Sequence, residues 1–203
     1  MSDRDDSRPD DRTRDLVQDA SCGDEQAIRE LLSLNLPRLR AFIRLRTGPQ
    51  LRAREGDSDI VQSVCREVLN DLGKLEYQGE ARFRSWLFQA ALRKIIDKHR
   101  FHEMHKRDVR REERGIDGGV LDCYQTLSSP SGQLMRQESA DRFEAVFDSL
   151  PEDYREVITL SRIVGLPHAE IAQQMNRSVA AVRVLLHRAV AKLGVLLEGL
   201  PDA

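Results

Sequence analysis

Aromatic residues are scarce in this chain: they make up 5% of its 203 residues, while charged residues make up 33%. Sheets depend on aromatic and β-branched side chains to fill their faces, so this balance points to an all-helical protein. Cysteine is scarce as well. Cys22, Cys65 and Cys123 are odd in number and scattered, which excludes a disulfide framework and a zinc motif and fits a reducing cytoplasm. Cys65 lies inside an apolar helical pattern and reads as core. No apolar run approaches the length of a membrane span and the N-terminus is charged throughout, so membrane insertion is not expected. Nor is there a surplus of positive charge: 32 Lys and Arg face 34 Asp and Glu, for a net charge of −2. Any anion-binding surface must therefore be local. A phosphate-cradling glycine loop, an internal repeat and a nucleophile–histidine–acid grouping are also missing. No catalytic residue and no cofactor are expected.

What is present is helical punctuation. Residues 1–12 hold five aspartates, three arginines and no aliphatic residue after Met1, the composition of a disordered tail. Leu16, Val17 and Ala20 begin a helix that Gly23 ends. Asp24 can cap the next, where Ala27, Ile28, Leu31 and Leu32 recur at helical spacing. Pro37 is expected to interrupt or kink that helix before it stops at Thr47-Gly48-Pro49. Asp57 or Ser58 restarts helix, with Ile60, Val61, Val64, Val68, Leu69 and Leu72 on one face and Asp59, Gln62, Arg66, Glu67, Asn70 and Asp71 on the other. The stretch from Leu75 to Ser85 breaks the pattern at Gly79 and carries Tyr77, Arg82, Phe83 and Arg84. A helix through Trp86, Leu87, Ala90, Ala91, Ile95 and Ile96 follows. From Arg93 to Arg114 nine Lys and Arg face five Asp and Glu. An aromatic-bearing loop beside a basic helix suits unstacked bases on a charged track. Asp97 reads as an ion-pair partner of Lys94 or Arg100. His99, His102 and His105 fan over about 120° of a helix, too wide for three ligands on one ion, so no metal site is expected.

Gly115, Gly118, Gly119, Pro130 and Gly132 punctuate a stretch with little periodicity, which reads as a linker. The expected organisation is a tail over 1–12, a helical domain over 13–112, a flexible linker over 113–133 and a second helical domain over 134–203. In the second, Leu134, Met135, Phe143, Val146, Phe147 and Leu150 form a helix. Ser149 and Pro151 form the start of the next, which carries Tyr154, Val157, Ile158 and Leu160.

The stretch from Gly165 to Leu193 is the most informative. Pro167 suits a first helical turn, and Ala169, Ile171, Ala172 and Met175 give a short helix one apolar face. Asn176 tolerates the left-handed conformation that ends a helix, and Ser178 is a good cap for the next. In that second helix Val179, Val182, Leu186 and Leu193 share a buried stripe. Opposite lie Ala180, Val184, His187 and Arg188, with Arg183 on the flank. Four basic residues and no acid fall between Asn176 and Lys192. Small residues allow close approach to base edges and arginines reach guanine or phosphate, so this is a helix-turn-helix whose second helix reads DNA.

Taken together, the two halves resemble the sigma factors of bacterial RNA polymerase, sigma-70 family, of the small extracytoplasmic-function (ECF) type. In the first half Asp59-Ile60-Val61-Gln62 is similar to the family's core-binding segment. Phe83-Arg84-Ser85-Trp86-Leu87 followed by Asp97-Lys98-His99-Arg100 is similar to its promoter-melting and minus-ten-reading segment. In the second half Leu150-Pro151-Glu152-Asp153-Tyr154-Arg155 and Glu170-Ile171-Ala172 resemble its minus-thirty-five-reading domain. The resemblance implies that Asp59, Ile60, Gln62, Arg66 and Asn70 grip core RNA polymerase. It implies minus-ten contacts from Tyr77, Arg82, Phe83, Arg84, Trp86, Arg93, Lys94, Lys98 and Arg100, with a flipped base held in the Glu76–Arg84 loop. It also implies promoter contacts at the minus-thirty-five element from His168, Arg177, Ser178, Ala180, Ala181, Arg183, Val184, His187 and Arg188. Arg93 departs from the asparagine of many relatives; its donors-only chemistry suits another base or a phosphate. Members of the family are often held by an anti-sigma factor. Two other readings are a free-standing helix-turn-helix regulator with an amino-terminal effector or dimerisation domain, and a metal-responsive or enzymatic helical domain built on the histidines.

Overall fold

A computed structural model describes residues 9–52, 56–104, 120, 122–124 and 137–199. The regular elements among them are helical. α1 spans Pro9–Ser21, α2 Glu25–Arg52, α3 Asp57–Leu72 and α4 Glu80–Met104. After residues 120 and 122–124 the chain continues with α5 (Gln137–Ser149), α6 (Glu152–Ile158), a π-helix (Thr159–Val164), α7 (His168–Gln174) and α8 (Val179–Glu198). The expected all-α class is thus observed. No helix among the described residues is long and apolar enough to cross a membrane.

α1 opens at Pro9, inside the stretch whose composition suggested a tail; residues 1–8 lie outside the described residues. Gly23 ends α1 with φ +90°, and Asp24 then caps α2, its Oδ1 accepting from the Ala27 amide at 2.7 Å. Pro37 does not interrupt α2. The non-helical backbone falls at Gly48, with φ 64° and ψ 166°, because burial of Leu31, Leu39, Phe42 and Ile43 on one side holds the helix through the proline. The missing proline N–H costs one bond, and the apolar face outweighs it. α3 starts at Asp57 behind Gly56 and buries Ile60, Val61, Val64, Val68 and Leu72, the periodic set that the sequence lays down except for Leu69, which is half-buried at the edge of that face.

α1, α2, α3 and α4 pack on one another, and α5, α6 and α7 pack around α8 or its neighbours. The π-helix touches α2 and α4 as well as α6 and α7. One buried cluster therefore runs from Leu39 in α2 to Leu193 in α8 and takes in Val120 and Tyr124 of the connecting segment. A second, smaller cluster of Val17, Ala20, Ala27, Leu31, Leu72 and Phe83 fastens α1 to the others. The segment over 113–133 lies mostly outside the described residues, as do Leu134 and Met135. Its Val120 and Tyr124 are 1% and 0% exposed.

Candidate promoter-DNA and polymerase interface

The helix-turn-helix forms as its sequence dictates. Pro167 precedes α7 as its N-cap residue rather than entering the first turn. Asn176 adopts φ 51°, the left-handed turn between the two helices. Ser178 caps α8, its Oγ accepting from the Ala181 amide at 3.1 Å. Such a cap stabilises by about 1 kcal/mol. Ser149 behaves otherwise: its hydroxyl donates to the Val146 carbonyl at 2.6 Å, and Pro151 is the N-cap residue of α6.

α8 buries Val182, Leu186, Ala189 and Leu193. Val179, expected in that stripe, is 37% exposed; as the first helical residue it overhangs the end of the packed face. Ala180, Arg183, Val184, His187 and Arg188 are all exposed, as expected for a reading face. Ser178 and Arg177 are exposed, while Ala181 and His168 are half-buried. Arg177 forms an ion pair with Asp153 of α6, which braces the turn before α8.

The aromatic loop builds a concavity. Leu75, Glu76, Tyr77, Gln78, Arg82, Phe83 and Trp86 line a cavity of about 220 Å³, smaller than the roughly 300–1,000 Å³ of pockets for drug-sized ligands. Gly79, at φ +101°, lets the chain turn from this loop into α4. Phe83 is the floor, 3% exposed, with its ring centroid 6.0 Å from that of Trp86. The Arg14 guanidinium of α1 lies 5.8 Å from the centre of the Tyr77 ring. Arg82 reaches Gln78 Oε1 at 3.2 Å. An apolar floor, ring faces and polar edges suit a flat unstacked ring.

Helical geometry sorts the remaining candidates on α4. At 100° per residue Arg82, Trp86, Arg93 and Arg100 fall within one narrow strip about 27 Å long. Arg84 and Lys98 fall on the opposite side. Arg84 is held there by the Gly165 carbonyl, to which its Nη2 donates at 3.1 Å, and by Glu80 at 3.3 Å. Lys94 pairs with Glu67 of α3 at 2.7 Å, rather than with Asp97. Of the histidines, His99 has Nε2 3.2 Å from the Thr47 carbonyl; the side chains of His102 and His105 lie outside the described residues. Among the described residues no cluster could hold a metal ion.

On α3, Asp59, Gln62, Arg66 and Asn70 are exposed along one side. Ile60 does not join them. It is 0% exposed and part of the core, because its position in the 3.6-residue repeat belongs to the inward stripe.

Residues without any motif to mark them fasten the two halves. Arg44 of α2 donates from Nε to Glu144 Oε1 at 2.7 Å and from Nη2 to Oε2 at 3.2 Å, and its Nη1 pairs with Asp57 at the start of α3. The buried Tyr124 hydroxyl donates to Glu144 Oε1 at 2.7 Å. Burial, and after it the neighbouring Glu144 carboxylate, push the Tyr124 hydroxyl well above its ordinary range. For Arg44 burial alone would lower the pKa; the Glu144 bond and charge, with Asp57, outweigh it and raise the value. Arg46 pairs with Glu156 of α6, and Gln174 of α7 donates to Ser85 Oγ of α4 at 3.1 Å. The only signal in the sequence is a charge inside an apolar run: Arg44 between Ile43 and Leu45, and Glu144 beside Phe143.

An all-α chain whose helix-turn-helix presents an outward face without an acid from Ser178 to Lys192 belongs to the class of DNA-binding transcription proteins. Comparison with known proteins narrows this. The family model described as Sigma-70, region 4, matches residues 140–193. The ECF RNA polymerase sigma factor ShbA of Streptomyces griseus is 30% identical over 188 residues, covering 90% of this chain and 94% of that protein. ECF sigma factor SigD of Mycobacterium tuberculosis is 27% identical over 179 residues, 88% of this chain and 80% of that one. Among solved structures, CnrH in complex with the cytosolic domain of CnrY superposes with a TM-score of 0.57 at 26% identity, over 93% of this chain and 98% of CnrH. Sigma factor RpoE in complex with the anti-sigma factor NepR from Bartonella quintana shares the fold, with a TM-score of 0.53 at 22% identity over 84% of this chain and 96% of RpoE. The chain belongs to the ECF sigma factors of bacterial RNA polymerase. Its function is promoter recognition in the initiation of transcription, and the free-standing regulator reading is set aside.

Proposed function

We propose a division of that task among the surfaces described above. α8 enters the major groove at the minus-thirty-five element, with Arg183 and Arg188 reaching guanine or phosphate and Ala180 and Val184 setting the fit. The cavity under Tyr77, Phe83 and Trp86 takes a base flipped from the minus-ten strand, and Arg82, Arg93 and Arg100 track the backbone along α4. The exposed side of α3, at Asp59, Gln62, Arg66 and Asn70, grips core RNA polymerase, and residues 113–133 link the two DNA-reading domains. The protein contributes no chemistry of its own; nucleotide addition belongs to the polymerase, in the cytoplasm. An anti-sigma factor is a further partner, by similarity to the relatives solved in complex with CnrY and NepR.

The observation that carries this reading is the outward strip of α8, five exposed residues with two arginines and no acid. Transcription from a promoter library by core polymerase with the purified chain tests it. A defined pair of elements should be enriched, and Arg183→Ala with Arg188→Ala should abolish preference at the upstream one while leaving polymerase binding intact. Unbiased transcription by the wild type would defeat it.

A further inference from the structure

α1 carries none of the promoter-contacting residues named above, yet it reaches the minus-ten cavity in two ways. The first is apolar. Val17 and Ala20 are buried in the same cluster as Phe83, the cavity floor. Leu75, Tyr77 and Trp86, three of the lining residues, pack against that cluster from its edge. The second is polar. Arg14 precedes Val17 by three residues and so lies on the same side of α1, and its guanidinium is 5.8 Å from the centre of the Tyr77 ring.

The loop itself does little to fix that ring. Leu75 to Gly79 has no regular structure, so the place of Tyr77 depends on what its side chain packs against. Leu75 and Tyr77 are half-buried while Glu76 and Gln78 are exposed, the alternation of an extended chain with one side turned inward. Arg14 is not one of the residues that line the cavity. It therefore covers Tyr77 from outside and leaves the cavity side of the ring clear for a guest. A guanidinium over an aromatic face is attracted by the ring quadrupole and stacks on it. Arg14 is held in turn: its Nη1 donates to Asp11 Oδ1 at 3.4 Å, and the nearby Arg12 pairs with Glu30 of α2, which fastens this end of α1 to the bundle.

We propose that α1 completes the minus-ten site and that Arg14 is its positioning residue, holding the Tyr77 ring as a preformed wall on which a flipped base stacks. Ordering a mobile wall at the moment of binding costs affinity, and a wall ordered beforehand avoids that cost. Arg14 touches no base; it acts through Tyr77. This role rests on the assignment of the cavity to a flipped base made above.

Holoenzyme built with the full chain tests it on promoter forks from which one minus-ten base at a time has been removed. For wild type, removal of one particular base should weaken binding by about tenfold, the worth of a stacked base. Arg14→Gln deletes the charge and keeps most of the stem. It should shrink that ratio by about two- to fivefold, the strength of an exposed cation–π contact. Arg14→Lys, which keeps a cation over the ring, should restore it. In a Tyr77→Ala background Arg14→Gln should change the ratio no further, as expected of two residues that act as a unit. A phosphate contact at Arg14, or a general loss of folding, would weaken intact and base-free forks alike and leave the ratio unchanged. An unchanged ratio in Arg14→Gln, no restoration by Arg14→Lys, or additivity with Tyr77→Ala each overturn the role of Arg14. If wild-type holoenzyme binds every base-free fork as tightly as the intact one, the cavity holds no base; the promoter assignment has then failed, and the role of Arg14 falls with it.

Discussion

Asn176 and Ser178 govern where α8 points. A non-glycine residue at φ 51° costs about 1–2 kcal/mol, a penalty that asparagine reduces through its short polar side chain. Asn176→Val should therefore lower the melting temperature by several degrees, and Asn176→Gly should not. Ser178→Ala should cost about 1 kcal/mol through removal of the cap, read as a lower denaturant midpoint. The arginines of the reading face behave differently. A bidentate arginine–guanine contact is worth about 1–3 kcal/mol of discrimination. At least one of Arg183→Ala and Arg188→Ala should thus relax selectivity at one upstream position by roughly tenfold, with no loss of stability. Holoenzyme transcription on matched and single-base-changed promoters measures this. At the cluster, Glu144→Ala removes two hydrogen bonds from the largely buried Arg44 guanidinium. A loss on the order of 3 kcal/mol in urea unfolding is expected, against about 1 kcal/mol for Tyr124→Phe, which removes one hydrogen bond.

The helices separate what periodicity can reveal from what it cannot. α3 is legible almost residue by residue, because a stripe at 3.6-residue spacing specifies both its buried and its exposed side. Ile60 is misassigned to a partner surface when a linear motif is followed instead of that stripe. Asp59→Ala with Gln62→Ala should weaken core-polymerase binding while circular dichroism is unchanged. Ile60→Ala should instead cost about 2–5 kcal/mol of stability. The cavity under Tyr77 and Trp86 is half legible: its aromatic residues stand out in the sequence, but that α1 crosses to place Arg14 over Tyr77 does not. The split of α4 into a strip with Arg93 and a reverse side with Arg84 follows from helix geometry alone. What engages that reverse side is a bond to Gly165, 81 residues away in sequence, and no local pattern announces it. Pro37 misleads for a related reason. Propensity treats it as a breaker, and tertiary burial overrides propensity.

For the molecule as a whole, a net charge of −2 means that DNA affinity rests on two local strips rather than on the overall field. Binding by holoenzyme should fall steeply with salt, and replacing Arg93 or Arg100 by alanine should flatten the log–log slope by about 1 for each phosphate that is no longer neutralised. An unchanged slope would remove α4 from the backbone track. Limited proteolysis of the free chain should cut between Gly115 and Gly132, where glycine and proline concentrate, and leave two resistant fragments. The interlocking of the halves is not readable from the sequence. The charges that achieve it are spaced about a hundred residues apart, Arg44 to Glu144 and Arg46 to Glu156, and only folding shows that they meet.

The π-helix between α6 and the turn at Gly165 has a further consequence, one of phase. Its wider turn, in which the Gly165 amide donates to the Leu160 carbonyl five residues earlier, accommodates a residue more than an α-helical turn would. Val157, Ile158, Thr159 and Leu160 are consecutive and all buried, which a single-faced α-helix does not permit. The extra residue therefore acts as a dial: it fixes the azimuth at which everything downstream leaves the core, α8 included. Deleting Ser161 should let the turn close to α-helix with the downstream path nearly in place, whereas inserting one further residue in α6 should rotate that path by about 100°. A protein so lengthened keeps every DNA-contacting side chain and is still aimed at the wrong part of the groove.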